Sequence, residues 1–259
     1  MKMQDSSLYY FRLALYRAKK TGIQFLEERN QFRTFFRDYS IIKEKNDGRF
    51  RIDDDLLKPC LFNKSPNLGF NKHYTYHPAW AARVISKLKI KKHVDISSIL
   101  DFGTIVSAFI DVDYYEFKPP LIKGLSNYKA GKVDLVDLPF EDQSIESLSC
   151  MHTIEHVGLG RYGDPIDVRG DLKAFSELKR VVARNGHLII VVPVGKPVIM
   201  FNAHRLYSYE MIMDIFNDEF NLQEFALVYD NGDFIVDAPP EDVKYQNYGC
   251  GCFYFCKKP

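Results

Sequence analysis

The sequence predicts an α/β fold built on a mostly parallel sheet, and three observations carry that prediction. Between His93 and His156, four segments read as strands. Polar residues mark them at regular steps: Asp95 lies in the first, Glu116 closes the second, Asp134 closes the third and His152 follows the fourth, 21, 18 and 18 residues apart. That is the rhythm of strand, crossover helix and strand. A fifth segment, His187 to Val194, is an apolar run of the kind buried on both faces of a parallel sheet. Ligands of such sheets bind beyond the carboxyl ends of the strands, so the residues that end these strands are the first candidates for function.

Taken in order, residues 7–38 read as mostly helix. Leu8, Phe11, Leu13, Leu15 and Tyr16 lead into the basic patch Arg17-Ala18-Lys19-Lys20, and Thr21-Gly22 is expected to break the helix. A second stretch carries Phe25, Leu26, Phe32, Phe35 and Phe36. Basic residues interleaved with aromatics admit a peripheral membrane contact; packing onto the main domain is the preferred reading. Residues 44–72 are rich in turn formers, among them Asn46-Asp47-Gly48, Pro59, Pro66 and Gly69, and read as a lid or linker. Pro78 is placed at the first position of a helix that runs to about Lys89. The aromatics and the two histidines ahead of it, His73 to His77, either cover a ligand or form a packed joint.

The strand pattern follows: strands at 92–97, 111–117, 132–136, 146–151 and 187–194, with a helix or turn at 99–110 and a helix at 171–183. Leu172, Phe175, Leu178, Val181 and Val182 make the stripe of that second helix. Asn185-Gly186 is a turn into the fifth strand. Ser208 is an N-cap for a helix to about Phe216. Residues 221–229 and 252–257 supply two more strands, seven in all. The expected domains are a helical and loop extension over 1–90 and the α/β domain over 91–259.

Composition narrows the function classes. The 259 residues carry a net charge of +1, so no global field argues for nucleic acid as a partner. The aromatic content of 14% is assigned to a dense core before a stacking surface. Five cysteines make an odd number in a long chain, against a disulfide framework. Cys250, Cys252 and Cys256 share one strand parity, but no second ligand pair stands at metal spacing, so they are read as core thiols and no metal is expected. No apolar run is long enough to span a membrane and no signal-peptide pattern is read, so a cytoplasmic protein is expected.

Several passages resemble the class I S-adenosylmethionine-dependent methyltransferases. Val133-Asp134-Leu135-Val136-Asp137-Leu138-Pro139-Phe140-Glu141-Asp142 is similar to their passage after the third strand, and Ile154-Glu155-His156 to the "LEH" after the fourth. Glu177 to Leu188 resembles their "E-x-x-RVLKPGG-x-L", and Asn202 to Ser208 the step before a later helix. The segment Cys150 to Pro165 looks like an uncharacterised methyltransferase-like family carrying only a "domain of unknown function" label, some of whose members resemble genes of bacterial surface-polysaccharide clusters. The resemblance implies a Rossmann-like fold with a mostly parallel seven-stranded sheet and helices on both faces. It implies S-adenosylmethionine as cofactor and a small-molecule acceptor, a sugar or glycan intermediate.

The same resemblance implies site residues. Asp95, Ser97 and Ser98 fall in the first cofactor loop, Glu116 where an acid accepts both ribose hydroxyls, and Asp134 with the Leu135 backbone where the adenine is held. Ser97-Ser98 stands where the family carries G-x-G, and the alternative register Leu100 to Thr104 leaves too few residues before Glu116. His152 and His156 are candidates for the base that takes a proton from a hydroxyl acceptor. Arg161, Tyr162 and Asp164, in a glycine-bearing loop, and Asn202, His204 and Arg205 are candidates for acceptor binding. The pattern His152-x-x-Glu155-His156 is formally a zinc-protease signature, but it follows a strand and runs into Gly158 rather than lying on a helix. The rival function is a catalytically degenerate domain that binds a ligand or partner.

Overall fold

The computed structural model describes residues 4–61 and 69–259, with the side chains of the first turns of the N-terminal helix excepted. Leu8 to Lys20, as side chains, and Pro66 therefore lie outside the described residues. The chain divides into two compact units at Gly69/Phe70. The expected boundary near residue 90 is moved because the helix that precedes the first strand belongs to the second unit.

In the first unit, α1 (Gln4–Glu44) is one continuous helix. The expected break at Thr21-Gly22 does not occur. A single glycine costs only about 1 kcal/mol in a helix interior, which the long helix absorbs. Asn46, Asp47 and Gly48 (φ +83°) turn the chain after α1. Asp53 then caps a short 3-10 turn by accepting the Asp55 amide at 3.0 Å.

In the second unit, α2 (Lys72–Lys87) starts six residues ahead of Pro78, which lies inside the helix. Its cap is Asn71, whose Oδ1 accepts the Tyr74 amide at 3.3 Å. The strands are β1 (Lys92–Ile96), β2 (Asp111–Glu116), β3 (Tyr128–Lys132), β4 (Ile145–Met151), β5 (Val182–Val194), β6 (Val198–Met200), β7 (His204–Leu206), β8 (Phe220–Val228), β9 (Phe234–Val236) and β10 (Gly249–Lys257). The helices among them are α3 (Leu100–Val106), α4 (Gly170–Val181) and α5 (Tyr209–Phe216). Ser208 caps α5 by accepting the Met211 amide.

The main sheet has eight strands in the order β3-β2-β1-β4-β5-β10-β8-β9, one more than expected. β9 is the addition, a three-residue edge strand antiparallel to β8. β3, β2, β1, β4 and β5 run parallel, and β10 is antiparallel to both β5 and β8. Leu188, Ile190 and Val192 of β5 face the core under α4 and α5; Ile189 and Val191 face the core under α2 and α3. Successive residues of a strand point to opposite faces, so helices cover both sides.

Two differences have plain causes. The third strand is Tyr128–Lys132, not 132–136. It is the edge of the sheet, exposed along much of its length and carrying lysines, as edges that must resist further pairing do. Val133 and Leu135 pack into the core from the turn that follows. In addition, β2 to β3 and β3 to β4 cross over without a helix, and Pro119-Pro120 sits in the first of these crossovers. The Asn185-Gly186 turn survives as a bulge: Ile145 pairs with Val182 but Ser147 with His187.

His93 is fully buried in β1, with its two ring nitrogens 2.7 Å from Ser147 Oγ and 2.8 Å from Ser149 Oγ. Burial pushes its pKa down to about 3. The unfolded chain then binds the extra proton first as pH falls, so this group removes stability below about pH 6.5. Thermal melts of the protein and of His93→Gln should therefore diverge as pH falls from 6.5 towards 4, with the parent losing stability faster. Parallel curves would contradict the assignment.

Candidate functional site

The carboxyl ends of β1, β2, β3 and β4 open onto one cavity of about 460 Å³. Its walls include Ser97, Glu116, Asp134, Leu135, His152 and His156. Four of these follow or close the parallel strands, so strand direction alone brings them to one edge.

The first loop turns tightly without glycine. Ser97 takes φ +58° and donates its amide to the Tyr115 carbonyl at 2.7 Å. Its own carbonyl accepts the Thr153 hydroxyl at 2.8 Å. Asp95 is fully buried in β1, away from the cavity wall, and its Oδ1 accepts the Ser98 amide at 3.1 Å. Burial raises the Asp95 carboxyl to about 7, against the lowering effect of Ser98. Asp95 and Ser98 therefore shape the loop, while Ser97 faces the cavity.

At the end of β2, Glu116 Oε2 accepts the Tyr114 hydroxyl at 2.8 Å. After β3, Asp134 uses Oδ1 to accept the Val136 amide at 3.1 Å, which holds a turn closed by Asp137 N–H on the Asp134 carbonyl. Phe117, Val133, Leu135 and Val136 make this side of the cavity apolar.

β4 leads into a short 3-10 turn, Ile154–His156. His152 sits at φ +56° with its ring almost wholly buried. Its Nδ1 donates to Glu155 Oε1 at 3.0 Å and its Nε2 is 3.3 Å from Cys250 Sγ. His156 is less enclosed. Its Nδ1 donates to the Ala203 carbonyl at 2.6 Å, which leaves Nε2 unprotonated in the neutral ring. Burial holds the His156 pKa below the ordinary histidine value, against the raising effect of Glu155. Because the segment is a 3-10 turn, the zinc-protease arrangement of His152 and His156 on one α-helical face is not formed.

The loop from Val157 to Gly170 is held from inside. Asp164 accepts amides from Gly158, Gly160 and Tyr162. Burial would raise its carboxyl, but these amides outweigh that and keep it below the usual carboxylate range. Gly158 is at φ +80°, where a Cβ would stand 2.0 Å from the Asp167 carbonyl oxygen, so no other residue fits. Arg205, expected to meet the acceptor, is buried instead. Its guanidinium donates to the Val157 carbonyl at 2.6 Å and to those of Asp167 and Val168 at 3.4 Å, and pairs with Asp171 at 3.6 Å. It shapes the loop.

Tyr162 and Asp164 line the cavity; Arg161, Asn202 and His204 do not. Arg161 donates to the Ala203 carbonyl at 2.9 Å and lies over the Tyr162 ring. Asn202 is in the exposed turn between β6 and β7, and His204 stacks on Tyr248 at 4.9 Å. Phe117, Lys118, Thr153 and Lys173 join the walls without having been singled out from the sequence, as does Asp167 of the long polar loop. For Phe117 and Lys118 the signal was available, since they directly follow Glu116.

The family described as "Caenorhabditis protein of unknown function, DUF268" matches residues 137–224. An uncharacterised protein of Methanocaldococcus jannaschii is 24% identical over 151 residues, covering 54% of this chain and 60% of that protein. The chain thus spans less than two thirds of that relative. Among solved structures, the N-methyltransferase NodS of Bradyrhizobium japonicum WM9, determined with S-adenosyl-L-homocysteine, aligns with a TM-score of 0.52 at 11% identity, over 80% of this chain and 94% of that one. The MccD protein aligns at 0.51 and 14% identity, over 71% of this chain and 96% of that one. The YcgJ protein of Bacillus subtilis aligns at 0.51 and 12%, over 71% and 99%. The fold of this chain is the Rossmann-like fold of the class I methyltransferases.

Proposed function

We propose that the chain is an S-adenosylmethionine-dependent methyltransferase acting on a hydroxyl of a sugar or glycan intermediate. The observation that carries this reading is the meeting of Glu116 and Asp134, from consecutive strand ends, on the wall of one 460 Å³ cavity. That volume falls within the ~300–1,000 Å³ of small-molecule sites. The donor set fits the cofactor: a carboxylate accepts two hydroxyl donors at once, and Glu116 has one oxygen steadied by Tyr114. The apolar wall of Phe117, Val133, Leu135 and Val136 suits a flat base. When bound, the cofactor supplies an electrophilic methyl group.

The chain then has to align the acceptor and take its proton. His156 suits the second task, because its Nε2 is unprotonated at neutral pH and the residue lines the cavity. His152 is turned towards Glu155 and Cys250 and does not take that task. The acceptor class draws on the resemblance of Cys150 to Pro165 to an uncharacterised family, some of whose members resemble genes of bacterial surface-polysaccharide clusters. A second reading, a ligand-binding module without catalysis, draws on Ser97-Ser98 standing where glycines are usual, with the Ser97 carbonyl already bonded.

Calorimetric titration with S-adenosylhomocysteine should give micromolar binding. Glu116→Ala should weaken it at least about tenfold, as loss of charge-assisted hydrogen bonds worth roughly 1.5–3 kcal/mol each requires. Equal binding by the variant would remove the site assignment. In a methyl-acceptor screen sugars should react; reaction of amines or proteins alone would overturn the acceptor class, and binding without transfer to any acceptor would favour the second reading.

With a reactive acceptor, His156→Ala should lower kcat by about 100-fold or more, the usual range for loss of a general base. The parent's kcat/KM should be flat above pH 6.5 and fall below the depressed pKa of His156. A kcat within threefold of the parent would acquit His156.

A further inference from the structure

His73, His152 and Cys250 come together from α2, the exit of β4 and the start of β10. Each offers one ligand atom, and these atoms all lie within 4.8 Å of one another. His152 Nε2 and Cys250 Sγ are 3.3 Å apart. Zinc bonds of ~2.3 Å to sulfur and ~2.0 Å to nitrogen at a tetrahedral angle separate such atoms by about 3.5 Å. The spacing is that of two ligands on one ion.

The surroundings are those of a metal site. His152 donates its other ring nitrogen to the buried carboxylate Glu155. That carboxylate–histidine pairing fixes the tautomer and aims the free nitrogen, as it does in metal centres. The His73 ring stacks on Tyr248 at 5.0 Å and lies nearly parallel to the His152 ring, 5.6 Å away. Two acceptors in the same cluster, His77 Nε2 and Glu155 Oε2, are buried without a hydrogen-bond partner. Buried polar atoms are rarely left so.

We propose that His73, His152 and Cys250 bind a single zinc-class divalent cation, with water in the fourth place. A thiolate and two imidazoles select a borderline-soft cation of tetrahedral preference. A bound water has hydrogens to give, and His77 Nε2, in a ring 5.0 Å from that of His152, is an acceptor left over to receive one. The ion ties α2 to the sheet through residues far apart in the chain. Binding releases the Cys250 proton to solvent, since a coordinated thiol is deprotonated outright. The proposal does not rest on the methyltransferase reading.

The test is titration of the chelator-treated, untagged full chain with cobalt(II), followed by displacement with zinc. One equivalent of cobalt should produce tetrahedral visible absorption and a near-ultraviolet thiolate-to-cobalt band, both abolished by zinc, and zinc should raise the Tm. Cys250→Ser should lose the thiolate band, and His73→Ala should bind cobalt at least tenfold more weakly. Cys256→Ser, at the far end of β10, should keep both signals. No thiolate band in the parent, or a band that persists in Cys250→Ser, overturns the proposal. The parent's own spectrum decides the matter even if a variant does not fold.

Discussion

The surface at the strand ends is arranged around one buried carboxylate. Glu155 is 1% exposed, and a charge so placed is kept only with partners. Its Oε1 receives the His152 Nδ1–H at 3.0 Å and stands 3.6 Å from His156 Nε2. Its main-chain carbonyl takes a bond from Arg205. Through His152 the group reaches Cys250 on β10, and through Arg205 it reaches the loop carbonyls and Asp171. The exit of β4, the start of β10, β7 and the long loop are thereby referred to one point.

Two histidines four residues apart meet this carboxylate differently. His152 is enclosed, with Nδ1 on Glu155 and Nε2 beside Cys250. His156 lines the cavity, with Nδ1 donated to the Ala203 carbonyl and Nε2 3.6 Å from Glu155 Oε1. Glycine at Gly158 lets the loop fold back to within contact of Asp167 and Gly170, which closes one side of the cavity. On the other side, Ser97 accepts a left-handed backbone, at a cost of order 1–2 kcal/mol, to make a turn that glycine makes freely.

The central parallel strand was legible because burial on both faces writes an uninterrupted apolar run, as in Leu188 to Val194 of β5. β3 was not, because an edge strand is polar for reasons of solubility and the apolar residues after it pack from a turn. Pro78 misled in a similar way, since it is accommodated within α2 while Asn71 does the capping. Glu116, Asp134, Leu135 and Ser97 could be placed from motif and strand direction. Arg205 could not: a polar side chain next to a motif reads as ligand-binding until one sees the carbonyls that enclose it. The meeting of His73 with Cys250 was equally invisible, because only the docking of α2 against β10 brings them together.

The central claim is that the cavity at the ends of β1 to β4 is a cofactor site. Its most direct test is a crystal structure of the chain grown with S-adenosylhomocysteine. The ribose should lie against Glu116, the adenine beside Leu135 and Asp134, and the sulfur on the side of His156. Ligand bound elsewhere, or no ligand in the cavity at millimolar concentration, would contradict it.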